Sequence, residues 1–481
     1  MFMYLPVNLG MLSPMLTGMM HFGRNMETQK KYNLCQKSEL CKECDKNNMC
    51  QAWVQFVKNH DDIKAYAHFD RRVSLAMPSI RKYVLNSSNI VVHSFYPFIH
   101  FEKKNSRYGK KGPKKPRELF YCSHLDRCVY QRYAFLINYQ YNIWAKEKGI
   151  DHVAIAYRDN IGKNNIDFAK DAFDAIRSFQ KCFVLVGDFT SFFDNLDHQY
   201  LKSSLCKVLG VERLPNDYFA VFKNITRYSS WEWKLLVKAS GESITERGIR
   251  RKINSKEVLL TKEQFQKYKK DIKKNESGIG IPQGSPISAV LSNVYMIEFD
   301  EQVKEYVSLN GGIYMRYSDD FLIVLPCERD DEITNYMDYI YSYVGSMNGL
   351  IDLQKEKTSN YIYENNAIYA YQTGEPSNLN YLGFLFDGKN IKMRPRAITK
   401  YYCRMRRKAH TIGRRGWISP KRKQISAKML YSIYSSNNER QTFIDYAQKA
   451  KRLLELCDQE TDALIKHHKR KIAQAIKEGS K

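Results

Sequence analysis

Negative charge is scarce in this chain. Its 481 residues carry 77 Lys and Arg against 51 Asp and Glu, a formal net charge of +26 at pH 7. An imbalance of that size points to a polyanionic partner, either nucleic acid or an acidic membrane. A membrane-spanning run is also missing. Met1 to Gly23 has no formal charge, but Pro6, Gly10, Pro14 and Gly18 interrupt it, and Asn8 and His21 are polar. No basic segment precedes it, so neither a span nor a secretory signal is expected. Seven Met fall between Met1 and Met26, and the plain reading is that translation starts at Met26. No internal repeat is apparent. With 43% hydrophobic and 27% charged residues, a mostly disordered or collagen-like chain is excluded, and the length suggests two to four domains, at roughly 100–200 residues each.

The basic excess is concentrated. From Lys389 to Lys428 there are 15 Lys and Arg and no acid, and from Lys389 to Lys481 there are 25 basic residues against 7 acidic, which is +18 of the +26. A second patch, Lys103 to Arg117, has 8 basic residues and no acid. Tyr401, Tyr402, Trp417, Tyr431 and Tyr434 lie in or beside the larger region. Aromatic side chains among cations suit base stacking beside phosphate contacts, so nucleic acid is the favoured partner and no membrane is expected. Arg404, Arg406, Arg407, Lys408, Arg414 and Arg415 are the candidate phosphate contacts.

The 11 Cys are odd in number, which favours free thiols in a reducing cytoplasm. Cys35, Cys41, Cys44 and Cys50 cluster, and Cys41-x-x-Cys44 has metal-knuckle spacing. Two readings stand side by side: a four-cysteine zinc site, and four free thiols on a helical segment, the latter being the plainer.

Hydrophobic periodicity divides the chain. A leader with the Cys cluster covers 1–50. Helices are expected over Gln51–Val92 and Leu125–Trp144, a short strand over Val153–Tyr157, and a helix over Asp167–Phe179. Phe183–Val186 is an apolar run ending in Gly187-Asp188, a buried strand that delivers a carboxylate at its tip. After a helix at His198–Leu209, a charged insert runs from Thr226 to Ser277. Ile287–Phe299 reads as an apolar helix. Gly312–Tyr317 and Phe321–Leu325 read as a hairpin with Ser318-Asp319-Asp320 at its turn. A helix at Glu332–Met347 and strands at Tyr381–Phe386 and Lys389–Met393 follow, and from Arg394 the pattern is helical and basic. This order describes an α+β fold in which two separate strand ends present acids on one sheet.

Acids that interrupt apolar strands are costly unless exposed or neutralised. Divalent cations would neutralise Asp188, Asp319 and Asp320, and a pair of Mg²⁺ ions about 4 Å apart activates a hydroxyl and stabilises a leaving pyrophosphate. An Asp-Asp turn alone is weak evidence, since Asp favours turns. Its surroundings are specific. Tyr317-Ser318-Asp319-Asp320 fits the Tyr-x-Asp-Asp box of reverse transcriptases, and Asp188-x-x-x-Phe192-Phe193 fits their first catalytic motif. Gly280-Ile281-Pro282-Gln283-Gly284-Ser285-Pro286 fits their glycine-rich motif. Leu353 through Lys357-Thr358 resembles the lysine motif, and Tyr381-Leu382-Gly383-Phe384 the primer-grip hairpin. Arg117-x-Leu119 with Asp126-Arg127-x-Val129 resembles the first finger motif, with Cys122 where a proline is expected, and Tyr157-Arg158 with Lys163 resembles the second. The resemblance spans about Pro116 to Phe386.

The resemblance implies a right-hand polymerase, with fingers and N-terminal helices over 51–180, a palm over 181–390 that carries the insert at about 226–277, and a basic helical thumb-like region over 391–481. It implies that Asp188, Asp319 and Asp320, with the Phe189 main-chain carbonyl, hold two Mg²⁺ ions, for which Mn²⁺ is a substitute. Arg158 and Lys163 would clamp the triphosphate of a dNTP. Phe193 would be a steric gate against the 2′-hydroxyl, although an FF pair is usually core. Gln283 and Gly284 would lie under the nucleotide, and Lys357 would meet the pyrophosphate or be a solvated helix-end lysine. Arg117, Tyr381 and Gly383 would touch nucleic acid.

The 95 residues after Phe386 leave no room for a thumb plus an RNase H domain. No His/Cys endonuclease pattern is evident, and no retron-type Asn-Ala-x-x-His segment lies between Asp188 and Gly280. Gln441-Thr442-Phe443-Ile444-Asp445-Tyr446-Ala447 followed by basic helix resembles the extension of defence-associated, abortive-infection (unknown-group) reverse transcriptases, class 9 among them. That resemblance implies a bacterial cytoplasmic enzyme of antiphage defence. Its partners would be a structured non-coding RNA that serves as template or scaffold, dNTPs and a cDNA product, in an RNA-bound homo-oligomer. Template-independent or protein-primed synthesis on one of the 34 Tyr, and a retron-type enzyme, are the alternatives.

Overall fold

In the computed structural model, residues 46–103, 117–158, 160–246, 248–347, 349–418, 427–436 and 441–480 are described. The leader at Met1–Gly23, Cys35, Cys41, Cys44, most of the Lys103–Arg117 patch and the side chains of Arg415 and Trp417 lie outside them. Cys50 is half-buried on the helix Lys46–Asn59.

Twelve strands are present among the described residues. In chain order they are β1 (Phe98–Lys103), β2 (Arg117–Tyr121), β3 (Lys181–Asp188), β4 (Ser229–Glu232), β5 (Lys273–Lys274), β6 (Ile313–Tyr317), β7 (Asp320–Pro326), β8 (Ser359–Glu364), β9 (Ala367–Ala370), β10 (Leu379–Tyr381), β11 (Phe384–Phe386) and β12 (Ile391–Met393). They form three sheets. The central sheet has the order β6-β7-β3-β8-β9 and is antiparallel throughout. β3 reads KCFVLVGD and is buried along nearly its whole length, as an apolar run without alternation should be when both faces are covered. One face meets the largest core, which contains Phe183, Leu185, Phe189, Phe299, Phe321 and Ile323. The other meets a second core through Val184, Leu322 and Val324.

That second core is shared with the C-terminal helices Pro395–Ile418, Ala427–Tyr434, Phe443–Leu454 and Gln459–Ser480. The helix Phe443–Leu454 starts with a Thr442/Asp445 capping box, which satisfies backbone N–H groups that would otherwise lack partners. It docks on the helix Asn165–Arg177, where Asn165 Nδ2 donates to Tyr446 Oη at 2.8 Å and Lys449 meets Asp167 at 3.1 Å. Tyr401 and Tyr434 therefore do not offer stacking faces to bases. They are 5% and 6% exposed, and Tyr401 Oη donates to the Tyr434 carbonyl at 2.5 Å.

The third sheet, β2-β1-β4-β5, takes in strands of the expected insert. β4 and β5 lie within 226–277, yet β4 pairs in parallel with β1, and Trp231, Trp233, Leu236 and Ile253 pack with Phe69 and Ile99 from the N-terminal part. A weakly periodic charged stretch gains its order from a partner strand far earlier in the chain. Gln51–Val92 is likewise not one helical stretch. Helix runs over Lys46–Asn59, Pro78–Leu85 and Ser87–Val91, with 60–77 irregular between them. Val153–Tyr157 makes only an isolated bridge, Ala154 to Arg316. The apolar helix at Ile287–Phe299 is two helices, Ser288–Tyr295 and Ile297–Leu309, and Tyr381–Phe386 is a hairpin turning at Leu382-Gly383.

Candidate active site

β3 and β7 are adjacent and antiparallel, and their register sets Asp188 opposite Asp320. Directly opposed residues have Cβ atoms about 4.5–5.5 Å apart, so the two carboxylates share one end of the sheet. Asp319 joins them from the β6–β7 turn, where the Phe189 N–H donates to the Asp319 carbonyl at 3.2 Å. In extended backbone one residue's N–H and C=O point to the same edge, so the Phe189 carbonyl also faces this turn. The residues expected to hold metal are thus brought together from segments distant in the chain.

The cluster is electrostatically unbalanced. Asp188 is 6% exposed, Asp319 is half-buried and Asp320 keeps an open side. Burial, then the Asp188 charge, raises the pKa of Asp319. Burial, then Asp319 and Asp188, raises that of Asp320. Lys357 opposes both shifts, with its Nζ 2.8 and 2.9 Å from the two oxygens of Asp188. Among the described residues no group of three or more His, Cys, Asp or Glu converges closely enough to hold a metal ion as it stands. Within the acid cluster Lys357 takes both oxygens of Asp188. Three carboxylates that disfavour one another's charge are hard oxygen donors, the donor type that a divalent cation takes.

Other expected residues lie on separate segments of the fold. Phe193 is half-buried on the short helix Phe192–Asn195 that follows β3, with its carbonyl accepting from Ile281 N. Gln283 is half-buried, and its carbonyl accepts from Phe120 N at 2.9 Å, tying the glycine-rich segment to β2. Gly284 has φ +121°, and a Cβ there would lie 2.4 Å from the Phe120 carbonyl oxygen. Only glycine permits that approach. Arg117 is exposed at the start of β2. Arg404, Arg406, Arg407 and Arg414 are exposed on Pro395–Ile418, and Lys408 is half-buried.

Lys163 is exposed and pairs with Asp171 at 2.7 Å. Two expectations change. Arg158 is not poised for a triphosphate: its guanidinium is buried and donates to the Asp151 carboxylate, to the Asp151 carbonyl at 2.5 Å and to Asn142 at 2.8 Å. Tyr381 is 1% exposed in the second core, so it backs the hairpin from inside and presents no surface to nucleic acid, whereas Gly383 at the turn is half-buried. Sequence reasoning also missed residues at the site. Arg394 is half-buried, bonds Asn380, and lies close enough for the Asp320 charge to act on it. Asp300, Asn293 and Arg316 form a buried network behind the turn. The Arg immediately before the Tyr-x-Asp-Asp box was a usable signal, since a guanidinium inside an apolar strand demands a partner.

A palm-like antiparallel sheet with three carboxylates at one end defines a nucleotidyl-transfer polymerase. Residues 103–386 match the family model described as reverse transcriptase (RNA-dependent DNA polymerase). The chain belongs to the reverse transcriptase family, and its fold is the reverse-transcriptase fold. No curated protein sequence matches it. Among solved structures it is similar to apo telomerase from Candida tropicalis truncated from its C-terminal domain, at 12% identity and TM-score 0.41, over 70% of this chain and 64% of that one. It is also similar to telomerase from Candida albicans in complex with a fragment of telomeric RNA, at 12% identity and TM-score 0.37, over 88% and 72% of the two chains. The chain thus spans just under two thirds of the truncated telomerase. At such identities the family assignment rests on the sequence match.

Proposed function

We propose that this protein is an RNA-directed DNA polymerase that copies a structured non-coding RNA into cDNA, in the bacterial cytoplasm and in the service of antiphage defence. The observation that carries the polymerase reading is the opposition of Asp188 and Asp320 across β3 and β7, with Asp319 beside them. Asp188, Asp319, Asp320 and the Phe189 carbonyl would hold divalent cations, which when bound supply charge neutralisation and an activated 3′-hydroxyl. In the step, the primer 3′-oxygen forms a bond to the α-phosphorus of the dNTP and loses its proton to solvent. The bond from that phosphorus to the bridging oxygen breaks, and pyrophosphate leaves with the electron pair. Lys357, paired with Asp188 in this structure, would supply a cation to the departing pyrophosphate. Phe193 would bound the sugar side and disfavour a 2′-hydroxyl. The defence assignment is supported by the resemblance of the C-terminal segment Gln441–Ala447 and the basic helix after it.

The test uses the full chain purified with the RNA that accompanies it. It should incorporate dNTPs with Mg²⁺, and the double change Asp319→Ala, Asp320→Ala should abolish incorporation while RNA stays bound. Activity that survives the double change ends the polymerase reading. Sequencing the product against the bound RNA decides between copying and untemplated addition, and loss of phage protection in the same variant tests the defence role.

A further inference from the structure

The β6–β7 turn is strained where it matters most. Ser318, between Tyr317 and the first turn acid, has φ +64°, a left-handed conformation that a non-glycine residue adopts only when its surroundings impose it. A residue that holds this turn lies two positions earlier. Arg316 and Asp300 are both 0% exposed. Arg316 Nε and Nη2 donate to the two oxygens of Asp300 at 2.8 and 2.6 Å. Arg316 Nη1 then donates to the Ser318 carbonyl at 2.9 Å, and the Asn293 amide oxygen lies 3.3 Å away. Asn293 Nδ2 in turn donates to the Ala156 carbonyl at 2.9 Å, and Tyr157, itself at φ +62°, donates from Oη to Ser318 Oγ at 3.1 Å. The backbone of Arg316 is held as well, donating to Val153 and accepting from Ile155.

The geometry points to Arg316 as a positioning residue: anchored by Asp300, its guanidinium grips the Ser318 carbonyl and so aims Asp319 and Asp320 at the site where cations bind. A buried ion pair is poor evidence for stability alone, because a well-packed apolar pair commonly serves as well. The fork geometry explains the residue type. One face of the guanidinium spans a carboxylate while a further N–H reaches a carbonyl, which a lysine ammonium cannot match in fixed directions. The inference rests on the reading of these acids as cation ligands.

The test is Arg316→Lys in the full chain, followed by Ser318→Gly in that background. Arg316→Lys should keep its fold by circular dichroism and its RNA affinity. It should lower kcat at least tenfold, raise the Mg²⁺ needed for half-maximal rate several-fold, and leave the dNTP KM within about twofold. Mn²⁺ binding in the presence of dTTP, read by electron paramagnetic resonance, should weaken several-fold. Because glycine adopts positive φ freely, Ser318→Gly should restore at least threefold of the lost kcat. A folded Arg316→Lys protein with wild-type kcat and Mn²⁺ binding overturns the inference, as does a loss that Ser318→Gly leaves untouched. Should Arg316→Lys not fold, the pair Arg316→Met with Asp300→Leu carries the same expected losses, and wild-type Mn²⁺ binding there overturns the inference. A wild type that binds Mn²⁺ but makes no DNA refutes the proposed function instead, since weaker Mn²⁺ binding by Arg316→Lys still supports positioning.

Discussion

Gly187→Ala tests whether the register that brings the acids together is as tight as the structure has it. Gly187 precedes Asp188 and sits opposite Phe321, which follows Asp320. A Cβ on Gly187 would lie 2.2 Å from Phe321 Cζ and 2.3 Å from Cε1. The ring cannot swing aside, for it is 0% exposed, stacks on Phe189 at 5.2 Å between centroids and packs against Phe299. Overpacking of this kind costs about 1–3 kcal/mol, and replacing a strand glycine by alanine returns roughly 0.5–1 kcal/mol, so a net loss of about 1–2 kcal/mol is expected. Relief requires β3 and β7 to shift at the pair adjoining Asp188 and Asp320, and displacement of reacting groups by about 1 Å costs on the order of a hundredfold in rate. Stability is read from the urea midpoint and activity from single-turnover dNTP addition. Phe321→Leu in the Gly187→Ala background should recover part of both, with a coupling energy of about 1 kcal/mol or more. Gly187→Ala with wild-type stability and rate, or losses strictly additive with those of Phe321→Leu, would refute the reasoning.

Three further outcomes are expected. Phe193→Ala should raise rNTP relative to dNTP incorporation by roughly tenfold or more, as removal of a steric clash does; unchanged discrimination in a competition assay removes the gate from that ring. Charge reversal at the exposed Arg404, Arg406 and Arg407 should flatten the dependence of log K for RNA on log salt by about 2, at roughly 0.7 per single-strand phosphate contact, with dNTP KM unmoved; equal loss of both would place those residues elsewhere in the cycle. Burial, then the nearby His124, lowers the His68 pKa from 6.5 to about 3. The folded state therefore refuses a proton that the unfolded state accepts below about pH 6.5, so this contribution is whole at neutral pH and shrinks as pH falls through 6.5 toward 3. Between about pH 7 and pH 5 the stability advantage of wild type over His68→Gln should shrink by about 2 kcal/mol in urea titrations, and a constant difference would show that His68 is not held neutral.

Much of the site was legible before any coordinates, because its chemistry is local in the chain. An apolar run ending in Gly187-Asp188 and a Tyr-x-Asp-Asp turn between two β-like runs each carry their meaning within a few residues, and the unbroken apolar run Phe321–Leu325 needs no distant partner to be read. The structure kept β3, β6 and β7 near those bounds, and the helix His198–Leu209 ran as expected. The physical reason is that burial pattern, turn chemistry and charge type are properties of short segments.

Tertiary structure alone decided who partners whom. Arg158 and Arg316 are the same residue type, yet Asp151 and Asn142 turn one inward as a structural tie, while Asp300 anchors the other where it bonds the Ser318 carbonyl. Tyr381 and Tyr401 sit in stretches that read as contact surface but are enclosed by the C-terminal helices. The insert joins a sheet by pairing β4 with β1 as well as with its own β5. Side-chain identity in the sequence states what a group can do; which of its options it exercises is set by neighbours that the fold brings from far along the chain, and only one of those options survives the cost of leaving a buried charge or hydrogen-bonding group unpaired.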